Sequence, residues 1–180
     1  MTIFLARHGE TAANAEGRVQ GSLDAPLNER GRIQSESLAD EVATLGIAAL
    51  YASHLRRAYE TAEIVGRRIR QKPRVDERLA ESRRGEWEGR LLAEIERDEP
   101  DAWTAWRRAG PDFRFPGGES LAEHAARVEA ALAEIGSGPL PALAVCHGGT
   151  IRCALAMRRS EGLAAFNRIA VPNGILTRLE

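Results

Sequence analysis

Three places along the chain put a histidine where chemistry can use it. Arg7-His8-Gly9 follows a short apolar run, Ser53-His54 follows another, and His147-Gly148-Gly149 follows a third. A buried strand that stops on a cation and an imidazole is an odd choice for packing. It suits an anion, because a guanidinium supplies fixed charge and forked donors, and an imidazole donates a hydrogen bond or attacks. Gly9 is expected to let backbone approach a ligand. Two histidines with nearby arginines, and glycines that bare backbone N–H groups, fit a dianionic phosphate. A phosphoryl group in transfer needs positive charge on its equatorial oxygens and a positioned nucleophile. Histidine serves as that nucleophile, and with an ordinary pKa of about 6.5 it is largely neutral near pH 7. The leaving alkoxide needs a proton, which a carboxylic acid in a partly buried loop supplies.

The elements that must position these groups are legible in outline. Residues 2–6 suit a buried strand, and a polar, glycine-containing loop runs from 10 to 25. Asn28 is a helix N-cap, with Gly46 as the stop of a helix ending near Leu45. Residues 48–52 read as a second strand, 55–70 as a helix closing before Pro73, and Arg74-Val75 and Leu79 as short extended pieces. Residues 82–90 carry no clean period and read as a loop. A helical stretch follows, is broken at Pro100, and resumes over 101–109, ahead of a loop over 110–118. Ser120 and Glu123 form a capping box, and Leu121, Ala125, Val128, Leu132 and Ile135 recur at helical spacing behind it. Residues 143–145 are a continuous apolar run, as in a strand buried on both faces, with a helix over 150–158 and a last strand over 174–179. Strands alternating with helices predict an α/β protein, a three-layer α/β/α sandwich on a mainly parallel sheet. Ligands in such folds bind beyond the carboxyl ends of the strands, so the three histidine-bearing strand ends should meet at one rim.

Composition narrows the function. A chain of 180 residues that is 43% hydrophobic suits one domain with a sizeable core. A net charge of -1 argues against a nucleic-acid or membrane-surface partner. The 25 basic residues include a single lysine, Lys72, so one arginine more or less is weak evidence for a site. Two cysteines make no disulfide framework, no apolar run is long enough to span a membrane, and no leader pattern opens the chain. A reducing, cytoplasmic setting is expected. Four histidines without ligand spacing give no metal site, and no cofactor motif is present.

The residues resemble the histidine phosphatase superfamily, also called the phosphoglycerate mutase-like family. Arg7-His8-Gly9-Glu10-Thr11 looks like its signature, and five further blocks follow in order. Asn14, Gln20-Gly21, Asp24, Pro26-Leu27, Gly31 and Gln34 resemble the next pattern. Ser53-x-Leu55-x-Arg57-Ala58 with Thr61-Ala62 resembles the second phosphate motif. Leu79-x-Glu81 with Gly85-x-Trp87-Glu88-Gly89 resembles the acid loop, and Pro116-Gly117-Gly118-Glu119-Ser120 and His147-Gly148-Gly149 complete the set. The resemblance implies that His8 attacks phosphorus, that Arg7, Arg57 and His147 clamp the phosphoryl oxygens, and that Glu81 is the general acid and then the base. It implies that Asn14, Gln20, Gly21 and Gly148 line the pocket, that no metal is needed, and that the substrate is a small phosphorylated molecule. It leaves a homodimer open. A single domain over 1–180 is expected, with a cap insertion over about 90–118 whose Trp103, Trp106, Phe113 and Phe115 either select the substrate or only pack.

The sequence departs from the family's pattern in places. His54 stands where the family often has Pro or Asp, and is expected to be an exposed loop histidine. Arg83-Arg84 replaces a stretch that is commonly less charged; the two arginines either meet an anionic substrate or, as expected, form a solvated face. Cys146 precedes His147 where Ser or Thr is common. Two rivals to hydrolysis by His8 remain. Cys146-x5-Arg152 fits the loop of cysteine-dependent phosphatases, although Cys153 stands where Ser or Thr is usual, and that reading leaves Arg7-His8 and Arg57 unexplained. A mutase is the second; the family's cofactor-dependent mutases resemble longer chains and usually carry Asn after His-Gly, where this chain has Gly149. A catalytically dead binding module is disfavoured, because all five catalytic residues, Arg7, His8, Arg57, Glu81 and His147, are in place.

Overall fold

A computed structural model describes residues 2–108 and 110–179. In chain order the elements are β1 (Ile3–Arg7), α1 (Ala12–Glu16), α2 (Glu29–Val42), β2 (Ala49–Ala52), α3 (Arg56–Ile69), β3 (Arg74–Val75), α4 (Leu92–Asp98), α5 (Pro100–Arg108), α6 (Leu121–Gly136), β4 (Ala142–Cys146), α7 (Gly148–Ala156) and β5 (Leu176–Leu179). The strands form one sheet in the order β3-β2-β4-β1-β5. The pairings β1–β4, β2–β4 and β2–β3 are parallel, and β5 runs antiparallel to β1 at the edge.

The central strand explains the layering. Ala142–Cys146 is apolar throughout and buried at every position, as a strand covered on both faces must be. Its side chains alternate between two cores. Ala142, Ala144 and Cys146 join Leu5, the apolar face of α6, and α7, while Leu143 and Val145 join Ala6 and the buried faces of α2 and α3. Helices therefore cover both faces, and the three-layer architecture is as expected.

The local signals that set the helix ends are the short polar ones. Asn28 Oδ1 accepts from Gly31 N at 2.8 Å to open α2, and Ser120 and Glu123 satisfy each other's backbone N–H groups to open α6. Three segments differ from expectation. The polar stretch after β1 contains α1, capped by Thr11 with Asn14 in the place of the usual Glu or Gln, and Gly17 stops it after five residues. The helix breaks at Pro100 as expected, but α5 starts on Pro100 itself, one residue early, since the first helical position needs no N–H donor; the expected end at 109 lies outside the described residues. Leu79 closes a 3-10 turn, Glu77–Leu79, that Asp76 caps, and is fully buried instead of extended.

Candidate active site

The site begins where β1 ends. Arg7 pairs with Cys146 in the β1–β4 register. His8 N continues that ladder to Cys146 O at 3.0 Å, and Asn173 Nδ2 and Gly174 N hold the His8 carbonyl. Gly9 is expected from the sequence to let backbone approach a ligand; it instead packs on α2 and is not on the pocket wall. A Cβ there would stand 2.2 Å from Gly31 O, and one on Gly31 would stand 2.1 Å from Glu10 O, so the two glycines let α2 pack directly on the His8 loop.

The His8 ring is fully specified. The Gly9 carbonyl can only accept, so His8 Nδ1 donates to it at 2.6 Å. Nε2 then keeps its lone pair, toward which Arg57 Nε donates at 3.3 Å. Burial first, and the charges of Arg57 and Arg7 second, push the His8 pKa well below the ordinary histidine range. The result is a neutral imidazole with Nε2 unprotonated, the form a nucleophile needs.

Around it stand cations held by backbone. Arg57, on the first turn of α3, donates to Gly21 O at 2.8 Å and Leu23 O at 2.7 Å. Arg7 donates to Val171 O at 2.6 Å, while its Nε is buried without a partner. Burial lowers both guanidinium pKa values to about 10, which leaves both charged at neutral pH. His147 packs 5.1 Å from the His8 ring, centre to centre. Ser53 Oγ accepts from Leu55 N and lies 2.8 Å from His147 Nε2, within hydrogen-bond reach. His147 Nδ1, like Arg7 Nε, is buried without a partner. Unmet polar atoms in a native interior call for a ligand or water to meet them. Asn14 Oδ1 accepts from Thr11 N and Asn173 Nδ2, and Gln20 Oε1 accepts from Thr11 Oγ1, so both side chains have their N–H groups left to offer.

The carboxylate comes from the loop after Leu79. Glu81 Oε2 accepts from Gly149 N at 3.0 Å in the first turn of α7, and Oε1 accepts from Ser82 N at 2.9 Å. A Cβ on Gly149 would stand 2.1 Å from Glu81 Oε1, so this seat exists only for glycine. Burial would raise the Glu81 pKa, but the Arg84 guanidinium, His124, His147 and the Gly149 amide outweigh it and hold the carboxyl well below its usual range. Burial also lowers His124 and His147 and leaves them neutral near pH 7, so Arg84 and the amide are the effective partners. The loop itself is held by Arg127 on α6, which donates to the carbonyls of Arg78, Ala80 and Glu81 and pairs with the buried Glu119 at 2.6 Å.

Of the residues anticipated from sequence, Arg7, His8, Asn14, Gln20, Gly21, Arg57, Glu81 and Gly148 line one pocket of about 230 Å³. His147 lies behind its wall, against His8 and Ser53. Sequence reasoning did not place Arg18, Leu92 or Gly149 on the wall, nor Arg84 and Arg152. Arg84 corrects an expectation: Arg83 is solvated, but the Arg84 side chain is only 11% exposed and faces the pocket. His54 is exposed, as expected. Cys146 is packed in the core, where burial pushes its thiol pKa up, the opposite of an activated thiolate. Trp106 does two things, packing edge-on to Trp87 at 6.0 Å and reaching the pocket wall.

A neutral imidazole with a free lone pair, cations around it and a carboxyl group across the same pocket form an arrangement suited to phosphoryl transfer. Comparison with known proteins agrees. Residues 3–180 match the histidine phosphatase superfamily (branch 1). A glucosyl-3-phosphoglycerate phosphatase of Mycobacterium tuberculosis is 38% identical over 159 residues, covering 83% of this chain and 71% of that protein. A probable phosphoglycerate mutase of an Enterobacter species is 35% identical over 184 residues, covering all of this chain and 85% of that protein. Among solved structures, the mycobacterial glucosyl-3-phosphoglycerate phosphatase in complex with VO3 superposes with a TM-score of 0.91 at 34% identity, covering 98% of this chain and 91% of that one. The chain belongs to the histidine phosphatase superfamily, and it is a phosphatase of that type. Among the described residues no helix is long and apolar enough to cross a membrane.

Proposed function

We propose that the protein hydrolyses the phosphomonoester of a small metabolite through a phosphohistidine on His8. The observation that carries this reading is the tautomer of His8, its Nδ1 proton tied to Gly9 O and its Nε2 lone pair beside Arg57. Nε2 attacks phosphorus, the P–O bond to the metabolite breaks, and Glu81 gives its proton to the departing alkoxide. Arg7, Arg57 and His147 take the phosphoryl oxygens, and Asn14, Gln20, Gly21 and Gly148 complete the cradle. Glu81 then accepts a proton from water, which attacks the phosphohistidine, and the N–P bond breaks to release phosphate and neutral His8. Glu81 is ionised in the empty site. A bound dianion among the arginines offsets their field at the carboxyl and raises its proton affinity, so substrate and proton enter together.

Gly149, where the family's cofactor-dependent mutases usually carry Asn, supports hydrolysis rather than phosphoryl return to a second hydroxyl. Leu92 and Trp106, which reach the pocket wall from α4 and α5, support residues of about 90–118 as a cap that selects the substrate. The free, buried Cys146 and Cys153 are consistent with a reducing, cytoplasmic setting.

Mutation separates the nucleophiles. His8→Ala abolishes turnover of p-nitrophenyl phosphate, and Cys146→Ser retains most of it. Rapid quench with labelled substrate traps label that is labile in acid, as a phosphoramidate is. A folded but inactive Cys146→Ser enzyme beside an active His8→Ala enzyme would overturn the assignment.

A further inference from the structure

Residues 169–174 run past the site as a strap between α7 and β5, and the site grips its main chain. Arg152 Nε donates to Ile169 O at 2.9 Å, and Arg7 Nη1 donates to Val171 O at 2.6 Å. Gly174 N donates back to Arg7 O and His8 O at 3.1 and 3.2 Å. One side chain of the strap joins in. Asn173 is half-buried and is not itself on the pocket wall. Its Nδ2 lies 3.0 Å from His8 O, 3.2 Å from Asn14 Oδ1 and 3.4 Å from Gly9 O. Two of these are main-chain carbonyls, which only accept, so the nitrogen end of the Asn173 amide must face them. What Asn14 turns toward that nitrogen must then be its oxygen. With two protons, Asn173 Nδ2 serves the two nearest acceptors, and it joins the nucleophile's main chain to a side chain that lines the pocket.

The direction of the Asn14 amide matters, because its two ends act oppositely on a phosphoryl dianion. The NH2 group donates to it, and the oxygen repels it. Thr11 N also donates to Asn14 Oδ1, at 3.2 Å. The Thr11 hydroxyl lies 3.1 Å from Asn14 Oδ1 and 2.9 Å from Gln20 Oε1, and has one proton for the two. With Asn173 on Asn14, that proton is free for Gln20. A single donor from the strap thereby lets both pocket amides keep their N–H groups for the ligand.

We propose that Asn173 is a positioning residue for phosphoryl transfer. It holds the Asn14 amide with its N–H groups toward the phosphoryl oxygens, and the same nitrogen seats the His8 carbonyl. This rests on the phosphatase reading of the site and adds to it a residue that touches neither substrate nor reacting atoms.

The test is a double-mutant cycle between Asn173 and Asn14, read as kcat/KM for p-nitrophenyl phosphate and as competitive inhibition by vanadate. Asn173→Ala is expected to lower kcat/KM by about 10-fold, the scale of one hydrogen bond to a charged group, and to weaken vanadate binding with it. In the Asn14→Ala background the same change is expected to cost about threefold or less, because the amide it oriented is gone. Asn173→Asp keeps the native shape but turns oxygen toward three oxygens, so it is expected to lose more than Asn173→Ala. A residue that only filled space would give the reverse order. Asn173→Ser takes the place of Asn173→Ala in the cycle if the alanine variant does not fold. A fall as large in the Asn14→Ala background as in the wild type overturns the inference. So does an Asn173→Asp enzyme more active than Asn173→Ala, or an Asn173→Ala enzyme as active as the wild type. Each of these leaves the phosphatase reading in place, since the wild-type enzyme still turns over. No turnover of any phosphomonoester by the wild-type enzyme removes that reading and this inference with it.

Discussion

Arg127→Met tests how the acid is held. Arg127 is the point where α6 grips the loop that bears Glu81. Its Nη1 donates to Arg78 O and Ala80 O, each at 2.7 Å, and its Nη2 donates to Glu81 O at 3.0 Å. The same guanidinium pairs with Glu119, whose side chain is 2% exposed and whose Oε1 also accepts from Arg83 N at 3.0 Å. Methionine keeps much of the stem's packing and removes every donor. Three carbonyls then lose a charged partner, and Glu119 is left buried and alone. Breaking a buried pair from one side costs about 3–5 kcal/mol. Arg127 is partly solvent-exposed, so water replaces some of its bonds, and the lower end of that range is the better expectation. For a domain of this size about 3 kcal/mol lowers the melting temperature by about 6–12 °C. Glu119→Gln keeps an acceptor for Arg83 N and should lose less. The catalytic effect is separate. With the loop loosened, Glu81 misses the leaving oxygen more often, and about 1.4 kcal/mol of lost alignment is a tenfold fall in rate. That fall should appear with an alkyl phosphate and much less with p-nitrophenyl phosphate, whose leaving group needs little protonation. Thermal unfolding and kcat on both substrates measure the two effects. A folded Arg127→Met enzyme with an unchanged alkyl-to-aryl ratio would refute the idea that this clamp positions the acid.

Three further outcomes are expected. Glu81→Gln should depress kcat for alkyl phosphates far more than for p-nitrophenyl phosphate, and equal losses would remove Glu81 from proton transfer. Burial lowers the pKa of His124 to about 4, and His8 and His147 are lowered in the same sense. The unfolded chain then binds more protons below pH 6.5, so stability is full above that pH and falls on acidification, by about 2 kcal/mol from His124 alone at pH 5. His124→Gln should shrink that slope in thermal melts between pH 7 and 5, and an identical slope would refute it. Arg70 ends α3 exposed, at φ 56, in the left-handed region. Arg70→Gly should therefore stabilise the fold by about 0.5–1 kcal/mol in a denaturant titration, and a loss of stability would contradict the strain argument.

What the sequence carried was whatever local pattern could hold. Arg7-His8 was conspicuous because a cation and an imidazole close a run of apolar residues. Ser120 and Glu123 mark the start of α6 through a contact that spans one turn. Arg84 reads from sequence as either a contact to an anionic substrate or a solvated face, and Arg152 only as part of the cysteine loop; neither could be placed, for the opposite reason. In a chain whose basic residues are nearly all arginine, nothing local separates the two that face a pocket from those in solvent. The contact of Glu81 with Gly149 joins residues far apart in sequence, and no periodicity encodes it. α1 was missed because five residues, three of them alanine and none buried, carry no apolar stripe, only a cap at Thr11 and a stop at Gly17. Trp106 escapes a choice between packing and selection, because the ring that packs on Trp87 itself reaches the pocket wall.

The two glycines that let α2 rest on the His8 loop change how damage to this enzyme is read. Gly31 touches none of the pocket residues' reacting groups, yet a methyl there drives into Glu10 O, two residues from the nucleophile. A methyl on Gly9 drives into Gly31 O from the other side. A map of activity lost by single substitution will thus colour Gly31 as strongly as His8. No second substitution at the partner position can undo either change, because what each methyl meets is main chain, which mutation cannot trim. Tolerance at this contact is set by backbone alone, and Gly31, ahead of the core positions of α2, holds the loop on which the imidazole stands.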